Sequence, residues 1–154
     1  MDKSAHIPIA GTNKEYGRTF EAALSLLAVR LTFALLPFRW ALLLLRANPG
    51  DRTNRGESND AELSLPVNEV AAEIARAVNR AARYLPFRFA CLPRAFAALL
   101  MLRRRGIPGT VHLGLARDTG ANSLSAHAWC VCGDVPVIGL EEAPSFASVV
   151  AFRG

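Results

Sequence analysis

Residues 91–139, CLPRAFAALLMLRRRGIPGTVHLGLARDTGANSLSAHAWCVCGDVPVIG, decide how the rest of the chain is read. Within this stretch the apolar period changes. From Cys91 to Arg105 the apolar residues Leu92, Phe96, Leu99, Leu100 and Leu102 follow a helical spacing, and Pro93 suits a first turn. The cations Arg103–Arg105 complement a helix carboxyl end, and Gly106 with Pro108 stops it. From Thr110 the period falls to two. Val111, Leu113 and Leu115 alternate with His112, Gly114 and Ala116, DTGANS turns the chain, and Ser125–Cys132 is a second strand. Gly133-Asp134 is a tight turn into a third strand, Val135–Ile138. Phe146–Phe152 completes the pattern as a fourth.

Working back toward the amino terminus, a helix is expected from Ser64, the cap, with Pro66 in its first turn. Val67, Val70, Ile74, Val78 and Ala81 form its apolar stripe, and Pro86 ends it. Asn48–Ser64 is polar and rich in turn formers, so residues 48–63 are expected to link two regions. Residues 14–47 form an apolar helical segment and residues 1–13 a loose tail. The resulting fold class is α+β, helices packed on a small antiparallel sheet, with residues 64–154 as the catalytic core.

The apolar segment is not read as a membrane span, because Arg30, Arg39 and Arg46 divide it and spanning needs ~20 nearly uninterrupted apolar residues. It carries two stripes. Leu24, Leu27, Leu31, Leu35 and Phe38 lie on one face, and Leu26, Val29, Phe33, Leu36 and Trp40 on the other. A helix apolar on two sides cannot satisfy both against one core surface. The second stripe is assigned to docking a partner protein. A central buried helix, or a helix pair divided at Pro37, is the competing reading, and association with a membrane surface a third.

At 154 residues the chain fits one domain with a single core. Its three cysteines suit a reducing compartment better than a disulfide framework, and the polar start lacks a signal-peptide pattern, so the expected location is cytoplasmic. The net charge of +5 is uneven: nine arginines and no acid lie between Arg76 and Arg117. That run is either a solvated basic face or an electrostatic guide for an acidic peptide or partner. No reading helix or aromatic platform points to nucleic acid.

Cys91 opens a helix, where unpaired backbone N–H groups favour a thiolate and can hold an oxyanion. His127 sits one helix and one strand later, so a nucleophile and base can face each other. Cys130 and Cys132 alternate onto the opposite face and are expected in the core. For a third catalytic member, hairpin counting from Gly133-Asp134 pairs His127 with Leu140 and leaves Asp134 roughly 20 Å away; Glu141 is therefore chosen. A zinc site from Cys91, His112, Cys130 and Cys132 is disfavoured, because C-x-C within a strand is not a structural zinc pair. No metal or cofactor is expected.

The phrases RYLPFRFACLPRAFAALLMLRRRGIPGTVHLGLAR and AHAWCVCGDVPVIG, with LLPFRW upstream, resemble the lasso-peptide leader peptidases of the transglutaminase-like cysteine protease superfamily. The resemblance implies a transglutaminase-like or papain-like core in which Cys91 is nucleophile and His127 base. It implies removal of the leader from a ribosomally made precursor peptide, beside a leader-recognition protein and an ATP-dependent lasso cyclase. The residues before Thr19 are too few for a fused recognition domain, so that protein is expected as a separate chain. Where the family often carries an aspartate after HAW, this sequence has Gly139. An acyltransferase on the same Cys–His scaffold and a non-catalytic peptide-binding module are the alternatives.

Overall fold

Three segments with a 3.6-residue apolar period and four with a period of two fold as those periods require. A computed structural model describes residues 13–37, 39–40, 48–50, 65–86, 88–118 and 123–154. The helices are α1 (Asn13–Leu35), α2 (Leu65–Tyr84) and α3 (Cys91–Arg103). The strands are β1 (Asn48–Gly50), β2 (Thr110–Asp118), β3 (Ser123–Cys132), β4 (Val135–Ile138) and β5 (Ala147–Arg153). They form one five-stranded sheet in the order β1-β5-β2-β3-β4, with every pairing antiparallel. The α+β expectation is what the chain adopts.

The expected stripe of α2 faces inward, with Ile74, Val78 and Ala81 buried and Val67 and Val70 partly so. Helix α3 is buried along most of its length, through Ala95–Leu99, Met101 and Leu102. Its Phe96 ties the layers together. The ring meets Phe33 of α1 edge-on at 5.5 Å and Phe152 of β5 at 6.0 Å between centroids. Because Phe152 and Cys130 both pair with Val111, and paired residues share a face, the helices cover the face carrying Val111, Cys130 and Phe152.

Helix α1 overturns the docking assignment for the second stripe. Leu26 and Val29 are completely buried with Ala22 and Ser25, and Phe33 packs on the same core. They belong to the interior and are not available to a partner. Beyond Phe33 that stripe leaves the core, and Leu36 and Trp40 are exposed. The face left open is the other one, with Phe20, Leu24, Leu31 and Leu35 exposed. The small side chains of Ala22 and Ser25, buried beside Leu26 and Val29, let α1 lie close against the core.

Polar ties hold α1 in place. Arg18 pairs with Glu73 of α2, and Glu21 is gripped by Arg105 at 2.6 Å with Arg104 at 3.6 Å. The Arg105 hydrogen bond holds the Glu21 carboxyl below the usual carboxylate range, and Glu21 in turn raises the Arg105 guanidinium.

The linker expectation fails at its first residues, since Asn48–Gly50 is an edge strand paired with Ala151–Arg153. Residues 1–12, Phe38, 41–47, 51–64, Phe87 and 119–122 lie outside the described residues. The expected tail, most of the expected linker, the Ser64 cap and the centre of the DTGANS turn therefore fall there. None of the described helices is long and apolar enough to cross a membrane.

Candidate active site

The chain enters α3 through residues 88–90, which belong to no helix or strand, with Phe89 buried as an anchor. Ala90 occupies the cap position with extended backbone (φ −65°, ψ 171°) and offers no side-chain acceptor. No acid lies in the first turn. The Leu92 N–H therefore remains a free-pointing donor at the positive helix end, while Pro93 contributes none. Cys91 is half-buried at this end and packs against the edge of the core.

The other two thiols are different. Cys130 and Cys132 are buried on the helix-facing side of β3, as alternation requires. Burial, with Cys132 nearby, pushes the Cys130 thiol up to about 12, and burial raises Cys132 as well. Neither can supply a thiolate near neutral pH. His112 lies on the opposite face from Cys130, and among the described residues no three potential ligands gather as a metal site would require.

His127 is buried, but on the sheet face away from the body of α3. Register pairs Gly114 with His127 and His112 with Trp129, so these four share that face. The Trp129 ring stacks between the two imidazoles, at 5.4 Å from His112 and 6.0 Å from His127. Phe146 closes over His127 at 5.1 Å. Gly114 makes room for this cluster, because a Cβ there would stand 2.8 Å from both Phe146 and Trp129. His112 also meets the Ser148 hydroxyl at 3.3 Å, and burial lowers its pKa.

Two groups hold the His127 ring. Nε2 lies 2.7 Å from the Gly139 carbonyl oxygen. A carbonyl only accepts, so Nε2 carries the proton and donates, and Nδ1 is the nitrogen with a lone pair in the neutral ring. Nδ1 in turn lies 3.4 Å from the Glu142 carboxylate, whose side chain is 73% exposed. That contact is an ion pair only when the ring is protonated, and solvent screens it.

The third member chosen from sequence is thus corrected. Glu142, not Glu141, meets His127, and a main-chain carbonyl does the orienting. Hairpin counting failed because β3 and β4 contain an irregularity: Cys132 pairs with Val135 and Val131 with Pro136, but Cys130 pairs with Ile138. One extra residue enters β4, and Gly139 then turns the chain in the left-handed region (φ +76°). No sequence signal marks the bulge.

An alanine at Gly139 would place its Cβ 3.0 Å from the Ala128 carbonyl and 3.2 Å from His127 Nε2. The left-handed backbone alone costs a residue with a Cβ roughly 1–2 kcal/mol. Gly139→Ala is expected to lower stability by that amount in urea melts and to break the Nε2–H tautomer, read from the ring nitrogen shifts. An unchanged tautomer would remove Gly139 as a positioning residue.

The structure brings His127 together with Gly139, Glu142, Trp129 and Phe146. It does not join His127 to Cys91: among the described residues no hydrogen bond links Sγ to the imidazole, and the ring points to the face opposite the α3 body. The model of the family described as Transglutaminase-like superfamily matches residues 23–151, which runs from α1 into β5. No curated protein and no solved structure matches the chain.

Proposed function

The chain belongs to the transglutaminase-like superfamily, which includes cysteine peptidases and acyltransferases, and from that membership together with the sequence resemblance around Cys91 and His127 we propose that it is a cysteine peptidase that cuts the leader from a ribosomally made lasso-peptide precursor. One observation carries the reading: of three thiols, only Cys91 is accessible, and it stands at the uncapped start of the central helix. In this reaction the Cys91 thiolate attacks the carbonyl at the leader–core junction. The Leu92 N–H and the helix end hold the oxyanion. A proton from the His127 imidazolium goes to the departing core amine, the C–N bond breaks, and the leader remains as a thioester on Sγ. His127 Nδ1 then takes a proton from water, which attacks the thioester and releases the leader as a carboxylic acid.

This chemistry requires Sγ and Nδ1 to approach within about 3–4 Å. Catalytic contacts often tighten only when substrate binds, and precursor or companion protein would supply that closure. The companion is a leader-recognition protein, and the freed core amine is the group that an ATP-dependent cyclase consumes. The exposed apolar face of α1, through Phe20, Leu24, Leu31 and Leu35, is the surface offered to such a companion.

The test is incubation with the precursor, with and without the companion, followed by mass spectrometry. Hydrolysis leaves a leader with a free carboxylate. A leader joined to an added amine would mean an acyltransferase, the second outcome the superfamily allows. Leu24→Asp with Leu31→Asp is expected to leave the melting temperature almost unchanged and to weaken the companion's stimulation about ten-fold. Undiminished stimulation would clear this face of the role.

A further inference from the structure

We propose that the cleft beside the first turn of α3 is a subsite for an acidic side chain of a peptide, one to three residues from the carbonyl that Cys91 attacks; that placement rests on the peptidase reading, while the binding itself does not. The cleft has a volume of about 500 Å³ and is lined by Asn79, Ala82 and Arg83 of α2, by Arg88 and Phe89, and by Arg94 of α3. Every charged group in that lining is a guanidinium. A further one, that of Arg30, lies over the Phe89 ring at 5.9 Å from its centroid.

Arg18, Arg104 and Arg105 each have a carboxylate. Among the described residues Arg83 and Arg88 have none, and Arg94 donates only to the neutral Asn79 amide oxygen. The Arg94 Nε–H is buried and meets no acceptor among the described residues. Guanidinium groups that share one lining with Phe89 and Ala82 repel one another, and an incoming anion relieves that repulsion. The guanidinium fork matches a carboxylate in two parallel hydrogen bonds.

Peptide is favoured over nucleic acid because, among the described residues, the lining holds one aromatic ring and an arginine already lies over it, which leaves bases no open platform there. The position follows from helix geometry. Arg94 is three residues after Cys91 on α3, which sets their Cβ atoms about 5–6 Å apart. An extended peptide advances ~3.3 Å per residue, so a carboxylate in the cleft belongs to a residue near the scissile bond.

The experiment uses the full chain as Cys91→Ala and follows fluorescence anisotropy of a labelled peptide alternating Asp and Ala. Controls are the same peptide with Asn for Asp and a thymidine oligonucleotide of equal length. The Asp peptide is expected to bind at least about ten-fold more tightly than the Asn peptide, with an advantage that shrinks as salt is raised. Arg83→Glu with Arg88→Glu should erase the advantage, and Arg83→Gln with Arg88→Gln should reduce it without introducing acids that could disturb folding. Equal affinity for the two peptides, indifference to both double variants, or tighter binding of the oligonucleotide would overturn the subsite. None of these depends on cleavage, so the subsite and the peptidase reading fail separately.

Discussion

Cys91→Ala is expected to reduce precursor cleavage by at least about 10³-fold, because no other group in the chain can form the thioester. Cys130 cannot substitute: it is buried, and its thiol is pushed up to about 12. The loss will not come from unfolding. Cys91 is half-buried at the start of α3, and removing one sulfur at the core edge costs less than about 1 kcal/mol. Circular dichroism and a urea melt should therefore overlay those of the parent chain. Cleavage that survives in Cys91→Ala ends the peptidase proposal.

The companion variant, His127→Ala, tests the weaker link. His127 is held by Gly139 and Glu142 on the sheet face away from α3, so pairing with Cys91 is a requirement of the mechanism. If the two act as a unit, His127→Ala costs nearly as much as Cys91→Ala, and the double variant is no worse than either. If His127→Ala retains cleavage, Cys91 works with another base, and the histidine cluster with Trp129 and Phe146 is structural.

The second large effect is on stability. Phe96→Ala should cost about 3–5 kcal/mol, the usual range for deleting a buried aromatic ring and leaving its cavity. Phe96 is completely buried, and its ring meets both Phe33 and Phe152. Its removal loosens α1, α3 and β5 together, so the unfolding transition should shift as a whole and stay cooperative. Leu24→Ala, on the exposed face of α1, should cost far less. Comparable losses at Phe96 and Leu24 would mean that α1 packs with its other face inward.

How far the sequence could be read follows from how local each signal is. Helices α2 and α3 were legible because their period and their proline and glycine stops act within one segment. So were β2, β3 and β4, whose alternation of period two reveals faces, and with them the burial of Cys130 and Cys132. The pairing around His127 was not legible. A single extra residue in β4 sets Ile138 rather than Val137 opposite Cys130, after which the pairing ends and Gly139 turns the chain, and a bulge leaves the alternating pattern of neighbouring residues almost intact. That is why Glu141 was chosen and Glu142 found.

Local pattern along the chain therefore determined the three helices, strands β2 to β5, their order and the one reachable thiol at a helix start, since period, stops and caps are properties of a few consecutive residues. Tertiary structure alone decided which stripe of α1 enters the core, that Gly139 rather than a side chain holds the His127 ring, and that Arg83, Arg88 and Arg94 meet in one cleft. Each of these depends on contact between segments far apart in sequence, where two apolar faces or two neighbouring acids are equivalent until packing chooses between them.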